Sequence, residues 1–418
     1  MSRAMKDSGI PWIGEIPEGW ETCRLKDCGY LYGGLTGKSG DDFNVEDNDN
    51  YALFIPFTNI YNNLYINPND LRKVKVEEDE KQNLVKSGDL LFLMSSEDYE
   101  GIGKPSLLKD NIDTLYLNSF CKGFRISNKN VNPIYLNFLL TSEILRELVR
   151  IEAKGFIRIN LRQDRLSCVP VMLPPLSEQE AIAEFLDRKC GEVDKMVSLQ
   201  EQVIEELKAY KQSIITEAVT KGLNPNAPLK PSGIDWIGEI PEHWETARNK
   251  FFVNIRSGDG LSNELLSEGG EFPVYGGGDI IGYYNKSNTD IDELLIGRVG
   301  ARCGCVTLPL EQCWATDNAL VLRTNLYLKY MFYLLSAAKL NDLNTSNAQP
   351  LITATKVKNV YIPIIPEAEQ REIADFLDRK CADIDALIGL KQQKIEDLRE
   401  YKKSLIYEYV TGKKAVSF

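Results

Sequence analysis

The sequence predicts two α/β (α+β) domains set into an internally repeated frame and separated by a long antiparallel two-helix coiled coil, with pseudo-two-fold order along the chain. Three observations predict it. The thirteen residues Ser8-Gly-Ile-Pro-Trp-Ile-Gly-Glu-Ile-Pro-Glu-Gly-Trp20 return as Ser232-Gly-Ile-Asp-Trp-Ile-Gly-Glu-Ile-Pro-Glu-His-Trp244, with eleven positions identical. Phe185-Leu-Asp-Arg-Lys-Cys190 returns unchanged as Phe376-Leu-Asp-Arg-Lys-Cys381, and the stretches between these boxes do not resemble each other. After each second box the apolar residues fall three, four and seven apart, which is heptad spacing.

The helices are the plainest elements. In the first, Ile182, Leu186, Val193, Met196, Leu207, Tyr210 and Ile214 form the expected coiled-coil core, and the matching core of the second is Ile373, Leu377, Ile384, Leu387, Leu398, Tyr401 and Leu405. Val203 continues the first seam, and Lys394 breaks the match in the second copy. Each helix follows a proline stretch, Leu173-Pro-Pro-Leu176 or Ile362-Pro-Ile-Ile-Pro366, and Ser177-Glu-Gln-Glu180 has the spacing of a capping box. Each runs about 45 residues without a proline, roughly 67 Å, or about two turns of B-DNA. Two helices in one chain can pair with each other, whereas a single one would serve as a dimerisation arm.

The two inserts read as mixed α/β. The first has strand patterns at 51–57, 89–94 and 120–126 and a helix over 132–151. The second has strands near 271–275, 293–297 and 319–322 and a helix over 326–338. Each ends in a loop and strand, 166–173 or 357–364, that feeds the proline stretch. The expected domains are 1–175 (with the box at 8–20), the first long helix 176–222, a second domain 223–366 (with the box at 232–244), and the second long helix with the C-terminal tail, 367–418.

Composition narrows the class. The chain has 418 residues, 43% of them hydrophobic, enough for two cores. No run of about 18 apolar residues marks a membrane span, and residues 1–6 lack the apolar stretch of a signal peptide. Nine scattered cysteines read as reduced thiols, so a cytoplasmic location and no membrane partner are expected. The net charge of −12 argues against a simple basic coat for nucleic acid. It fits a protein that binds DNA through local patches, weakly by itself, and borrows positive surface from a partner.

The boxes and their order resemble the specificity (S) subunit of type I restriction-modification systems. The second insert adds similar phrases: Pro273-Val-Tyr-Gly-Gly-Gly278, Ile280-Ile-Gly-Tyr283, Ile296-Gly-Arg-Val-Gly-Ala-Arg302 and Trp314-Ala-Thr-Asp-Asn318. The resemblance covers essentially the whole chain. It implies that each insert is a target recognition domain reading one half of a split double-stranded DNA sequence, while the coiled coil fixes the gap. It also implies no catalysis by this chain, which would recruit two methyltransferase (M) subunits and restriction (R) subunits. On this reading no cofactor binds here. S-adenosylmethionine, ATP and Mg are expected on the partners, for adenine methylation and ATP-dependent cleavage.

The chemistry of the residues agrees with a dependent chain. The Asn/Asp-Pro-Pro-aromatic segment that would hold a flipped adenine is missing. Gly33-Gly-Leu-Thr-Gly-Lys-Ser39 has three residues between Gly33 and Gly37 where a phosphate loop needs four. Cys303 and Cys305 lack a second pair with zinc spacing, the single histidine is His243, and so neither a metal nor a catalytic triad is expected.

DNA reading needs polar and cationic side chains on loops that reach base edges. In the first insert these are Thr36, Lys38, Ser39, Asn59, Ser95, Ser96, Lys104, Lys154, Arg158 and Arg162. In the second they are Tyr284, Asn285, Lys286, Arg298, Arg302, Thr316, Asn318, Ser346, Asn347 and Gln349. Glycines at 297, 300 and 304 surround Arg298 and Arg302 and favour close backbone approach. Most such contacts would position the protein on phosphate. The tryptophans of the repeated boxes read first as core anchors and otherwise as part of a docking surface for two identical partners. The alternative to DNA recognition is a coiled-coil protein adaptor, which explains the acidity and the helices but not two unrelated inserts in one frame.

Overall fold

The computed structural model describes residues 3–43, 51–77, 79–343 and 351–416. Two compact units emerge: 1–199 with 394–418, and 200–393. The second unit is thus inserted into the first, and the chain crosses between them within the long helices Leu176–Lys221 and Glu367–Val410. Each unit holds part of each helix.

Both units are built the same way. A short antiparallel hairpin carries the first box: Met5–Asp7 with Glu15–Pro17, and Leu229–Pro231 with Glu239–Pro241. The strand after the box pairs antiparallel with the strand before the long helix, Glu21–Arg24 with Pro170–Leu173 and Glu245–Arg248 with Tyr361–Ile364. This pairing brings the two ends of each insert together.

Inside, a four-stranded antiparallel sheet has the same order in both units. It runs Gly29–Gly33, Cys121–Ile126, Leu90–Leu93, Pro105–Leu107 in the first and Val253–Ser257, Ala319–Thr324, Glu293–Gly297, Val306–Thr307 in the second. A three-stranded sheet is also shared. Its middle strand, Ala52–Ile55 or Phe272–Tyr275, pairs parallel on one side and antiparallel on the other. The inserts share topology without sharing sequence.

Three local expectations change. The helix expected over 132–151 is two, Pro133–Thr141 and Glu143–Glu152, because buried Ser142 turns extended (φ −60°, ψ 142°) and its hydroxyl donates to Leu139 O. Short helices, Gln163–Ser167 and Ala354–Asn359, precede the last strand of each insert. Ser177 lies inside the first turn of its helix, since Glu178 N and Gln179 N already donate to Pro175 O. The capping box therefore does not form.

The helix halves pack antiparallel within each unit. Ile182, Leu186, Val193, Ile373, Leu377, Ile384 and Leu405 are buried, and Leu207, Ile214 and Leu398 are half-buried. Met196, Tyr210, Leu387 and Tyr401, expected in the core, are exposed. The seam instead takes the position one further on: Cys190, Val197 and Ile204 in the first helix, and Cys381, Ile388 and Ile395 in the second. Apolar residues stand both three and four places after the central ridge, so letter pattern alone leaves the side open. Lysines settle it. Lys211 and Lys402 occupy seam positions and reach Asp385 (2.6 Å) and Asp194 (2.7 Å) on the opposite helix.

Candidate DNA interface and the frame that carries it

The frame positions each insert through repeated polar sockets. Trp20 and Trp244 are fully buried, and their indole N–H groups donate to Glu178 (3.1 Å) and Glu369 (2.9 Å) in the first turn of the long helices. His243 also contacts Glu369 (3.0 Å). Trp12 is half exposed, and Trp236 is partly buried with its indole N–H donating to Tyr361 O, so the core-anchor reading fits only one tryptophan of each box fully. Buried Gln179 and Gln370 accept from Asn132 N and Tyr327 N (2.9 and 2.8 Å), the residues that open the insert helices. Asp187 and Asp378 of the second box each take a tyrosine hydroxyl and a lysine. Asp187 takes Tyr65 and Lys109, and Asp378 takes Tyr333 and Lys329.

In the first unit, Ser95, Ser96 and Arg158 line one cavity of about 440 Å³ with Asn118, Phe120 and Tyr61. Lys154 stands on the same hairpin as Arg158, closed by paired backbone bonds between Lys154 and Asn160. Arg162 is exposed and held by Asp164 (3.0 Å).

Several expected contacts lie elsewhere. Asn59 is buried, its amide N–H donating to Asn67 O and Asp70 O, so it closes a turn and is unavailable to DNA. Lys38 is shielded by its ion pair with Glu80 (2.5 Å). Thr36 is held by Gln82, and Ser39 caps a turn through Asp42. Lys104 donates to Tyr61 O and lines a different cavity with Arg146. Burial, and then the Arg146 charge, push its ammonium below the usual lysine range.

In the second unit, Arg298, Arg302 and Asn318 gather around the glycine turn 276–278. Arg298 N donates to Asn318 O (2.9 Å), and Asp279 holds Arg302 by two bonds of 2.8 Å. A Cβ at Gly277 would meet Val299 O at 3.3 Å and Arg302 Cβ at 3.7 Å, so the turn needs small residues. Thr316 is buried and accepts from Asn318 N (3.4 Å), a support for Asn318 and not itself a reader. Tyr284 packs edge-on against Trp314 at 5.2 Å, with Asn285 and Lys286 exposed beyond it. Ser346, Asn347 and Gln349 lie outside the described residues.

Sequence reasoning missed Asn118, Phe120 and Tyr61, because they come from two separate places, Tyr61 from the helix Phe57–Asn62 and the other two from the turn after Leu117, and the letters give no sign that these line one cavity. Cys303 and Cys305, which lack a partner pair in the sequence, do not share a strand. They flank a turn after a 3₁₀ segment, Cys303 buried and Cys305 partly so. Among the described residues no group of His, Cys, Asp and Glu is placed to hold a metal, and no helix is long and apolar enough to cross a membrane.

The MjaX type I restriction enzyme specificity subunit of Methanocaldococcus jannaschii is 29% identical, covering 96% of this chain and 95% of its own. The StySPI specificity subunit of Salmonella potsdam is 23% identical over 90% and 84%. A solved chain from work on assembly and conformational transition of the type I R-M system has a TM-score of 0.71 over 94% of this chain and 98% of its own. At 17% identity that is a likeness of fold. The model of the type I restriction modification DNA specificity domain matches twice, at residues 17–209 and 241–399, and the chain belongs to that family.

Proposed function

We propose that this chain reads a split double-stranded DNA sequence through its two inserts and brings methyltransferase subunits to it. The observation that carries the reading is the duplicated frame: one topology and one set of sockets present two unrelated sets of loop chemistry. The candidate readers are Ser95, Ser96, Lys154, Arg158 and Arg162 in the first unit and Arg298, Arg302, Asn318, Asn285 and Lys286 in the second. Ser346, Asn347 and Gln349 remain candidates by sequence.

The partner surface has its own support. Met196, Leu199, Leu387, Leu390, Tyr210 and Tyr401 are all exposed, and they occupy matching positions of the two helices. The Asp194–Lys402 pair sets Tyr401 near the level of Met196 and Leu199. The Lys211–Asp385 pair does the same for Tyr210 with Leu387 and Leu390. Each unit therefore carries one apolar patch at equivalent positions, Met, Leu and Tyr in the first and Leu, Leu and Tyr in the second, as two identical methyltransferase subunits would require. In this reading S-adenosylmethionine sits on those subunits, ATP and Mg on restriction subunits, and the complex works in the cytoplasm. The chain supplies address and spacing, without chemistry of its own.

The test is a methylation map. The chain is co-expressed with its methyltransferase subunit in a host without adenine methylation, and modified bases are sequenced. An asymmetric split motif with a fixed gap is expected. A complex that assembles yet leaves DNA unmodified would move the reading to the protein adaptor.

A further inference from the structure

In the first unit, residues 153–163 hold no acid, and at their centre Phe156 is fully exposed and Ile157 is 88% exposed. Two adjacent apolar side chains this bare cost free energy in water and contribute nothing to the core. The backbone beneath them is closed into a tight loop. Lys154 and Asn160 exchange backbone hydrogen bonds of 3.0 and 2.9 Å, and buried Ile159 pairs with Ser96. Gly155 sits at φ +153°, and a Cβ there would lie 2.0 Å from Arg158 O, so only glycine allows so tight a loop. The Arg158 guanidinium lies 4.6 Å over the Phe120 ring. Neither Lys154 nor Arg158 has a salt-bridge partner among the described residues. The tip is thus an apolar point on a closed loop, flanked by two cations without an acidic partner among the described residues, Arg158 resting over Phe120.

We propose that this tip is a wedge: Phe156 and Ile157 enter between base pairs of the bound duplex while Lys154 and Arg158 rest on the flanking phosphates. A base pair step offers an apolar slot between charged edges, which matches the chemistry of the tip. The proposal rests on the DNA-reading function above and adds a local deformation of the target. Sequence preference at the wedged step would come from how easily that step unstacks.

The test uses the full chain assembled with its methyltransferase subunits, and target duplexes carrying 2-aminopurine at each half-site position other than the methylated adenine. Wild type is expected to raise the fluorescence several-fold at one step, and Phe156→Ala/Ile157→Ala to abolish that rise. Phe156→Leu should keep part of it. Affinity is a poorer readout, because removing the wedge also removes the unstacking cost. Since neither side chain packs on the fold, the double variant should unfold like wild type. Specific binding with no step brightened, or brightening that survives the double variant, overturns the wedge alone. A double variant that no longer assembles with methyltransferase reassigns the tip to a protein contact. Absence of specific binding by wild type overturns the DNA reading and the wedge with it.

Discussion

Asp187 and Asp378 sit at the same place in the two copies of the frame, yet the two units satisfy them differently. In the first, the tyrosine and lysine come from separate segments, Tyr65 before one strand and Lys109 after another. In the second, both come from one turn of one helix, Lys329 and Tyr333. By contrast Gln179 and Gln370 perform one task in one way, each accepting the backbone N–H that opens an insert helix. The frame is thus a set of fixed sockets, and an insert qualifies by delivering the right group, from whatever element. That is how two unrelated sequences are held in one scaffold.

The largest losses are expected at the buried tryptophans. Trp20→Ala and Trp244→Ala should each cost about 3–5 kcal/mol, and hydrogen exchange should rise in the unit that holds the substitution. Equal loss of protection in both units would contradict separate cores. Next comes the seam. Ile204→Glu buries a charge between helices and should cost about 3 kcal/mol or more, whereas Met196→Glu should change the unfolding midpoint little and weaken methyltransferase binding. The reverse result would restore the seam read from the letters.

The sockets come third. Tyr65→Phe and Tyr333→Phe should each lose about 1–2 kcal/mol, since both hydroxyls donate to a carboxylate, despite their different origins. Burial first, then the bond to Asp187 or Asp378, raises both phenols above their ordinary value. A group whose folded value is raised gives stability that is complete below the unfolded value, near about 10, and is lost as pH rises past it. Alkaline melts should therefore be shallower for the double Phe variant. The smallest effect belongs to the seam ion pairs. Asp194→Asn and Asp385→Asn should each cost about 0.5 kcal/mol, less in high salt, and an inequality between them would show that the repeat is not energetically symmetric.

The frame was legible because it is repeated: the boxes, the long helices and the order of insert elements all stand in the letters. The helix seam was half legible, since lysines that seal it look polar in a pattern of apolar letters. The candidate interface was least legible. Whether a polar residue faces solvent depends on partners the letters do not reveal, such as Glu80, 42 residues on, for Lys38, or the carbonyls of residues 67 and 70 for Asn59 in its short helix. Sequence names the polar loop residues, and only tertiary contacts decide which of them are left free.

The most direct test replaces the second insert, residues 249–360, with the first, residues 25–169, and maps methylation by the assembled complex. If the frame accepts any insert that fills its sockets and each insert reads one half-site, the first half-site should appear on both sides of the gap. An unchanged asymmetric motif, or none from a complex that folds and assembles, would contradict the account.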